Sequence, residues 1–280
     1  MQGLVLEGGS MRPIFSCGIM DAMLENDVHF PYVIGVSAGI TDGVSYVSRQ
    51  KGRNYDIVTT YRNDRRYFGL LNFASDKSIF GLKFLFEDVP QKLVPFDFET
   101  YRNSGTKVVV GVTNALTGQA EYLDGMKLDD KSTMLKATCA QPLFFPAIEI
   151  NGVPYYDGGI SDSVPAQKAI DDGCDKLLVI LTRPLGYRKK EFDKKMEAGA
   201  KYVGGKYPKL AETLKNRSAM YNAQMDFILE LEKQRKALVL RPDADKMIGS
   251  MESDTDKLAA FYRHGYDVGM AHMKEIKEMF

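Results

Sequence analysis

The sequence predicts an α/β protein with a mainly parallel central sheet and helices on both faces. Three observations carry this. Short, nearly unbroken apolar runs at residues 3–6, 32–36, 107–113 and 176–181 are too brief for helices and read as buried strands. Helix-compatible stretches at residues 13–26, 40–49, 130–139 and 165–170 separate them, so strands and helices alternate. A chain of 280 residues can bury one full core.

The first strand leads into the loop Glu7-Gly8-Gly9-Ser10-Met11-Arg12. Pro13 suits the first position of the helix that follows, where its missing N–H costs nothing. Gly8 and Gly9 leave amides uncovered at that helix start, which makes an anion site. The loop has neither the Lys-Ser/Thr of a P-loop nor a Gly-x-Gly-x-x-Gly pattern, so an oxyanion fits it better than a nucleotide phosphate. The second strand ends in Gly35-Val36-Ser37-Ala38-Gly39 and runs straight into a helix. Between a strand and a helix, Gly-x-Ser-x-Gly holds the serine at the apex of a sharp turn, with its hydroxyl exposed and the helix N-terminus behind it. A tight turn with a capping serine is the plainer reading of the same residues.

Residues 61–102 have a different character. Tyr67, Phe68, Leu70, Leu71, Phe73, Ile79, Phe80, Leu82, Phe84, Leu85, Phe86 and Phe96 are mixed with Arg62, Arg65, Arg66, Lys77 and Lys83, and no period of two or 3.6 runs through them. Most of the aromatics among them are expected in the core; the alternatives are a cap over an acyl-chain pocket or a surface resting on lipid, with the basic residues near phosphates. Beyond them, the strand at 107–113 has a hairpin partner at 119–123, and a helix ends near Gln141-Pro142. Asn151-Gly152 is a strong hairpin turn between strands at 147–150 and 153–156, and the second of these delivers Asp157-Gly158-Gly159 into a loop.

After Arg183-Pro184 the chain turns basic: residues 188–217 hold ten Lys or Arg against four Asp or Glu. Helices are expected at 191–200 and 208–235, carrying Met196, Leu210, Leu214, Met220, Met225, Ile228 and Leu231, with a strand at 237–240. A last helix from about residue 254 places Leu258, Phe261, Tyr262, Val268 and Met273 on a docking face. A solvated helix face is the default for the basic stretch, and attraction to an anionic membrane is the alternative. No repeat or linker divides the chain. The expectation is one domain, residues 1–280, with a core at 1–185 and a mainly helical part at 186–280 packed on it.

Lys plus Arg number 37, as do Asp plus Glu, and this zero net charge argues against a nucleic-acid binder. With no long apolar run and no basic-then-apolar leader, cytoplasmic residence is expected. Cys17, Cys139 and Cys174 are too few and too scattered for a disulfide framework or a zinc site. A serine nucleophile needs a base, and the three histidines, His29, His264 and His272, sit in no motif. An aspartate serves if it is desolvated and within reach of the hydroxyl, and the two glycines after Asp157 let backbone approach it closely. A plain Asp-Gly turn is the other reading.

Taken together, Gly8-Gly9-Ser10-Met11-Arg12, Gly35-Val36-Ser37-Ala38-Gly39 and Asp157-Gly158-Gly159 occur in the order seen in patatin-like phospholipases, and residues 137–146 are similar to the family's segment before the last motif. The resemblance covers residues 3–185. It implies a three-layer α/β/α fold and a dyad of Ser37 as nucleophile and Asp157 as base, acting without histidine, cofactor or metal. It also implies an oxyanion hole from the loop of Gly8, Gly9, Ser10, Met11 and Arg12, an elbow framed by Gly35 and Gly39, and phospholipid, lysophospholipid or other acyl-ester substrates. The family loop reads Gly-Gly-Gly-x-Arg/Lys-Gly, and here Ser10 and Pro13 stand where it has glycine. Pro13 has no N–H to give, which leaves Gly9, Ser10 and Met11 as the expected donors and Arg12 to order the loop or meet a lipid phosphate. A lipid-binding relative without turnover and a nucleotide-binding α/β protein remain as other readings, and no oligomeric state is implied.

Overall fold

The computed structural model describes residues 1–191 and 194–280; the Met196 side chain, expected on an apolar helix face, lies outside the described residues. The chain opens with β1 (Gln2–Leu6), α1 (Ile14–Glu25), β2 (Tyr32–Val36), α2 (Ser37–Val47) and α3 (Arg53–Tyr61). Next come α4 (Asn72–Asp76), a wide π-helix (Phe84–Leu93), α5 (Phe98–Arg102), β3 (Lys107–Asn114), β4 (Ala120–Asp124) and α6 (Thr133–Cys139). β5 (Ile148–Ile150), β6 (Val153–Asp157), α7 (Ala166–Asp171) and β7 (Lys176–Ile180) complete the expected core. The remainder is α8 (Lys194–Gly204), α9 (Pro208–Lys233), β8 (Ala237–Leu240), α10 (Thr255–Ala271) and α11 (Met273–Lys277).

All eight strands join one sheet in the order β5-β6-β3-β2-β1-β7-β8, with β4 also paired to β3. β3, β2, β1, β7 and β8 run parallel, while β4, β6 and β5 form an antiparallel edge. Because successive strand residues point to opposite faces, the apolar runs split cleanly in two. Leu4, Leu6, Val33, Val108 and Ile180 pack with Ile14, Phe15 and Ile19 of α1, Ile40 and Val44 of α2 and Leu258 and Phe261 of α10. Val5, Ile34, Val109, Leu177 and Val179 pack on the other face with Ala166 and Ala169 of α7 and Tyr221, Met225, Ile228 and Leu231 of α9. Each Val, Leu, Ile, Phe or Met among them contributes about 1.5–3 kcal/mol when fully buried. The result is the three-layer α/β/α arrangement, with β8 extending the sheet from the C-terminal part.

Several elements differ from the sequence reading. The last helix breaks at His272 into α10 and α11, and α3 was not foreseen. Within residues 61–102, Tyr67, Leu82, Phe84, Phe86 and Phe96 are buried, Ile79, Phe80 and Leu85 half-buried, and Phe68, Leu70, Leu71 and Phe73 exposed. The expectation for the aromatics holds, since Tyr67, Phe84, Phe86 and Phe96 lie in the core and Phe80 packs against it, while the segment folds back at an exposed apolar tip.

Candidate active site

At the end of β2 the backbone turns so sharply that Ser37 takes a φ of 52°, in the left-handed region that a non-glycine residue enters at a cost of about 1–2 kcal/mol. Its neighbours enforce the turn. The Ser37 amide donates to Thr138 Oγ1 of α6 at 2.8 Å, and that hydroxyl donates to Gly111 O of β3 at 2.6 Å. Gly35 lies in β2 against Leu6, and a Cβ on Gly39 would sit 2.5 Å from Glu7 O, so only glycine lets α2 close on β1. Gly8 is equally constrained, because a Cβ there would lie 2.7 Å from Ser37 Cβ. The glycine loop thus rests directly against the serine.

Sheet register brings the aspartate to the same place. Val36 pairs with Gly111, and Asp157 pairs with Val112, the next residue of β3. Ser37 Oγ donates to Asp157 Oδ2 at 2.7 Å, and Gln141 Nε2 donates to the same oxygen at 3.2 Å. Oδ1 accepts from the Gly159 amide at 2.7 Å. Burial, which is almost complete, pushes the Asp157 carboxyl above the ordinary carboxylate range. The Ser37 hydroxyl, the charge of Arg217, the Gly159 amide and Gln141 pull it back, in that order of influence. Arg217 is held close by its Nε, which donates to Gly159 O at 2.6 Å.

The glycine loop is strained as well, with Ser10 at a φ of 57° and Gly9 at 153°. Of its amides, Met11 donates to Ser250 O at 3.1 Å and Arg12 to Gly9 O at 3.2 Å. Those of Gly8, Gly9 and Ser10 donate to no group among the described residues. Met11, expected as an oxyanion donor, is therefore committed elsewhere, to a carbonyl that no local pattern could have indicated. The Arg12 amide is likewise engaged, and Arg12 itself lines the cavity. The start of α2 has no side-chain cap, and Ala38, its second residue, lines the cavity on the other side of Ser37.

These groups face a cavity of about 730 Å³. Phe80, Leu85, Phe86, Val89, Leu135 and Phe145 give it an apolar wall, and Arg12, Arg183, Lys189 and Arg217 a basic one. None of the three histidines lines it: His29 contacts Asp27, His272 contacts Glu275, and His264 Nε2 accepts from the Asp243 amide. Sequence reasoning missed Thr138, Gln141 and Cys139, whose Sγ is 3.3 Å from Thr41 Oγ1 and whose thiol burial pushes up to about 12. The signal available for Gln141 was its place before Pro142, where α6 has ended. Among the described residues no three His, Cys, Asp or Glu side chains are grouped to hold a metal ion, and no helix is long and apolar enough to cross a membrane.

Comparison with known proteins adds four findings. The chain is 29% identical over 189 residues to the uncharacterized protein YjjU of Escherichia coli (strain K12), a match covering 65% of this chain and 52% of YjjU. It thus spans about half the length of the curated relative it matches. VipD from Legionella pneumophila aligns with 98% of this chain and 67% of its own, at 15% identity and a TM-score of 0.48. Residues 207–280 match a family model described as a domain of unknown function (DUF6363), and residues 4–170 match the model of the patatin-like phospholipases. With the greater part of its length inside that second match, the chain belongs to the patatin-like phospholipase family.

Proposed function

We propose that the protein is a serine acyl hydrolase that cleaves acyl esters of lipids with a Ser37–Asp157 dyad. The observation that carries this reading is the 2.7 Å hydrogen bond from a strained, cavity-facing serine to a buried carboxylate. Burial raises the proton affinity of the Asp157 carboxyl, which makes it a better base. Asp157 takes the hydroxyl proton as Ser37 Oγ adds to the ester carbonyl. The oxyanion is met by the amides of Gly9 and Ser10 and by the uncapped start of α2. The tetrahedral adduct then expels the alcohol, which leaves with the proton from Asp157. Water next gives a proton to Asp157 and its hydroxyl to the acyl carbon, and Ser37 regains a proton as the fatty acid departs.

The apolar wall would hold the acyl chain, and the cavity volume lies within the roughly 300–1,000 Å³ typical of ligand sites. Membrane contact is assigned to the tip that carries Leu70, Leu71 and Phe73, which are 84%, 78% and 57% exposed, with Arg65, Arg66 and Lys83 beside them. The tip leads into Phe80 and Leu85 of the cavity wall, so lipid could pass from one to the other. The C-terminal helices are taken as part of the same working domain. The test is incubation with a fluorophosphonate probe followed by intact mass and peptide mapping. One adduct on Ser37, absent from Ser37→Ala, is expected; a folded protein with no adduct would favour lipid binding without turnover.

A further inference from the structure

The basic wall of the cavity holds more positive charge than the fold balances. Arg12 Nε and Arg183 Nε are buried with no hydrogen-bond partner among the described residues. Neither guanidinium, nor the Lys189 ammonium, makes an ion pair or side-chain hydrogen bond with any described residue. Their contacts are with aromatic faces and backbone. Arg183 Cζ lies 4.2 Å from the centre of the Tyr187 ring and Lys189 Nζ 3.6 Å from that of Tyr221. Arg12 folds back over the glycine loop, where a Cβ on Gly9 would lie 3.1 Å from its Nε.

The acidic residues lining the cavity, among those described, are Glu7, Asp42 and Asp157. Asp157 is engaged with Ser37, and Asp42 interacts with Cys17 and Arg53. Glu7 is the one carboxylate near the three cations, and both its oxygens are occupied, Oε2 by the Thr182 amide at 2.6 Å and Oε1 by the Tyr221 hydroxyl at 3.0 Å. The cations also oppose one another. Burial, then the charges of Arg217, Arg12 and Arg183, lower the Lys189 ammonium to about 7, while burial and Arg183 lower Arg12 to about 10. A bound anion would relieve this repulsion and satisfy both orphaned N–H groups, and planar guanidinium forks match phosphate oxygens well.

We propose that Arg12, Arg183 and Lys189 form a phosphate subsite, which takes the anionic head group of an acylated glycerol phosphate while its acyl chain lies along the apolar wall. The ester part of this assignment rests on the acyl-hydrolase reading; the anion site rests on the three cations. Since no uncommitted carboxylate faces this wall among the described residues, nothing there meets a quaternary ammonium, and purely anionic head groups are favoured over zwitterionic ones.

The experiment uses full-length Ser37→Ala protein and calorimetric titration with hexanoylglycerol phosphate, hexanoylglycerol phosphocholine and uncharged monohexanoylglycerol. The phosphate compound is expected to bind about tenfold or more tightly than the uncharged one, with the choline compound between. Adding Arg183→Gln and Lys189→Gln should remove the difference, with circular dichroism verifying the fold; if that protein does not fold, Lys189→Met alone should reduce it. Equal affinities in the Ser37→Ala protein, or a difference that survives the added substitutions, would overturn the subsite. Inorganic phosphate competing as strongly as the ester would assign the site to free phosphate and overturn the lipid assignment. Hydrolysis of monohexanoylglycerol by the unsubstituted protein is followed separately: its failure counts against the hydrolase reading and leaves the binding comparison intact.

Discussion

Ser37 Oγ and Asp157 Oδ2 are 2.7 Å apart although 120 residues separate them in the chain. A single strand lies between the two that carry them, and adjacent residues of that strand, Gly111 and Val112, take Val36 and Asp157 as register partners. The spacing of the pair is therefore a property of the sheet and not of flexible loops, which favours a dyad set in place before substrate arrives.

Asp157→Asn tests the base. Turnover of an acyl ester should fall by about a thousandfold, within the range for loss of a general base. Stability should move the other way. The folded carboxyl is raised above its unfolded value of about 3.9, so the native state binds the proton more tightly. Its favourable contribution is present below that value and is lost as pH rises through the raised one. Asparagine carries no charge at any pH, so the variant should be the more stable protein at pH 7 and lose that advantage near about pH 4. Urea unfolding at the two pH values measures both.

Ser10, at a φ of 57°, occupies backbone that suits glycine. Ser10→Gly should stabilise the fold by about 0.5–1 kcal/mol, the relief of strain being partly offset by the freer unfolded chain. Ser10→Val should cost about 2 kcal/mol or more, since a β-branched residue tolerates that conformation least. Thermal unfolding of the three proteins orders them.

Arg62 is buried and donates from Nε to Glu252 O at 2.7 Å and from a terminal nitrogen to Met251 O at 2.9 Å. Arg62→Leu would leave both carbonyls without this donor and should cost about 2–3 kcal/mol. Because the neighbouring Ser250 carbonyl holds the Met11 amide, the rate of fluorophosphonate labelling at Ser37 should also drop. Unfolding and labelling rates measured on one preparation check both outcomes.

Replacing Leu70, Leu71 and Phe73 together by serine should weaken co-sedimentation with anionic liposomes by about tenfold or more, since each large side chain contributes about 1.5–3 kcal/mol when it leaves water. Unchanged sedimentation would remove the tip from the membrane surface.

Much of the candidate site was legible because its signals are local. Gly35 to Gly39 announces a turn within five residues, Asn151-Gly152 fixes a hairpin, and the buried strands appear as short apolar runs. What stayed hidden depends on distant partners. The Met11 amide reads as a free donor until Ser250 is placed beside it, and Gln141 is an ordinary polar residue until Asp157 reaches it. Residues 61–102 resisted periodicity because their helices are short, one is a π-helix containing Pro90, and their apolar residues face the core, the cavity and solvent in turn. In α3 the one buried residue is Arg53, and Ile57, Val58 and Tyr61 are only partly buried against the core, so the helix carries a short, weak apolar stripe.

The bond from Met11 to Ser250 gives heredity and chemistry different borders in this protein. The stretch matched by the phospholipase family model stops at residue 170, yet backbone that steadies its first loop is supplied at residue 250. A gene trimmed to the matched stretch would encode that loop with its tether missing. A designer transplanting the dyad to another scaffold would have to carry the far turn along.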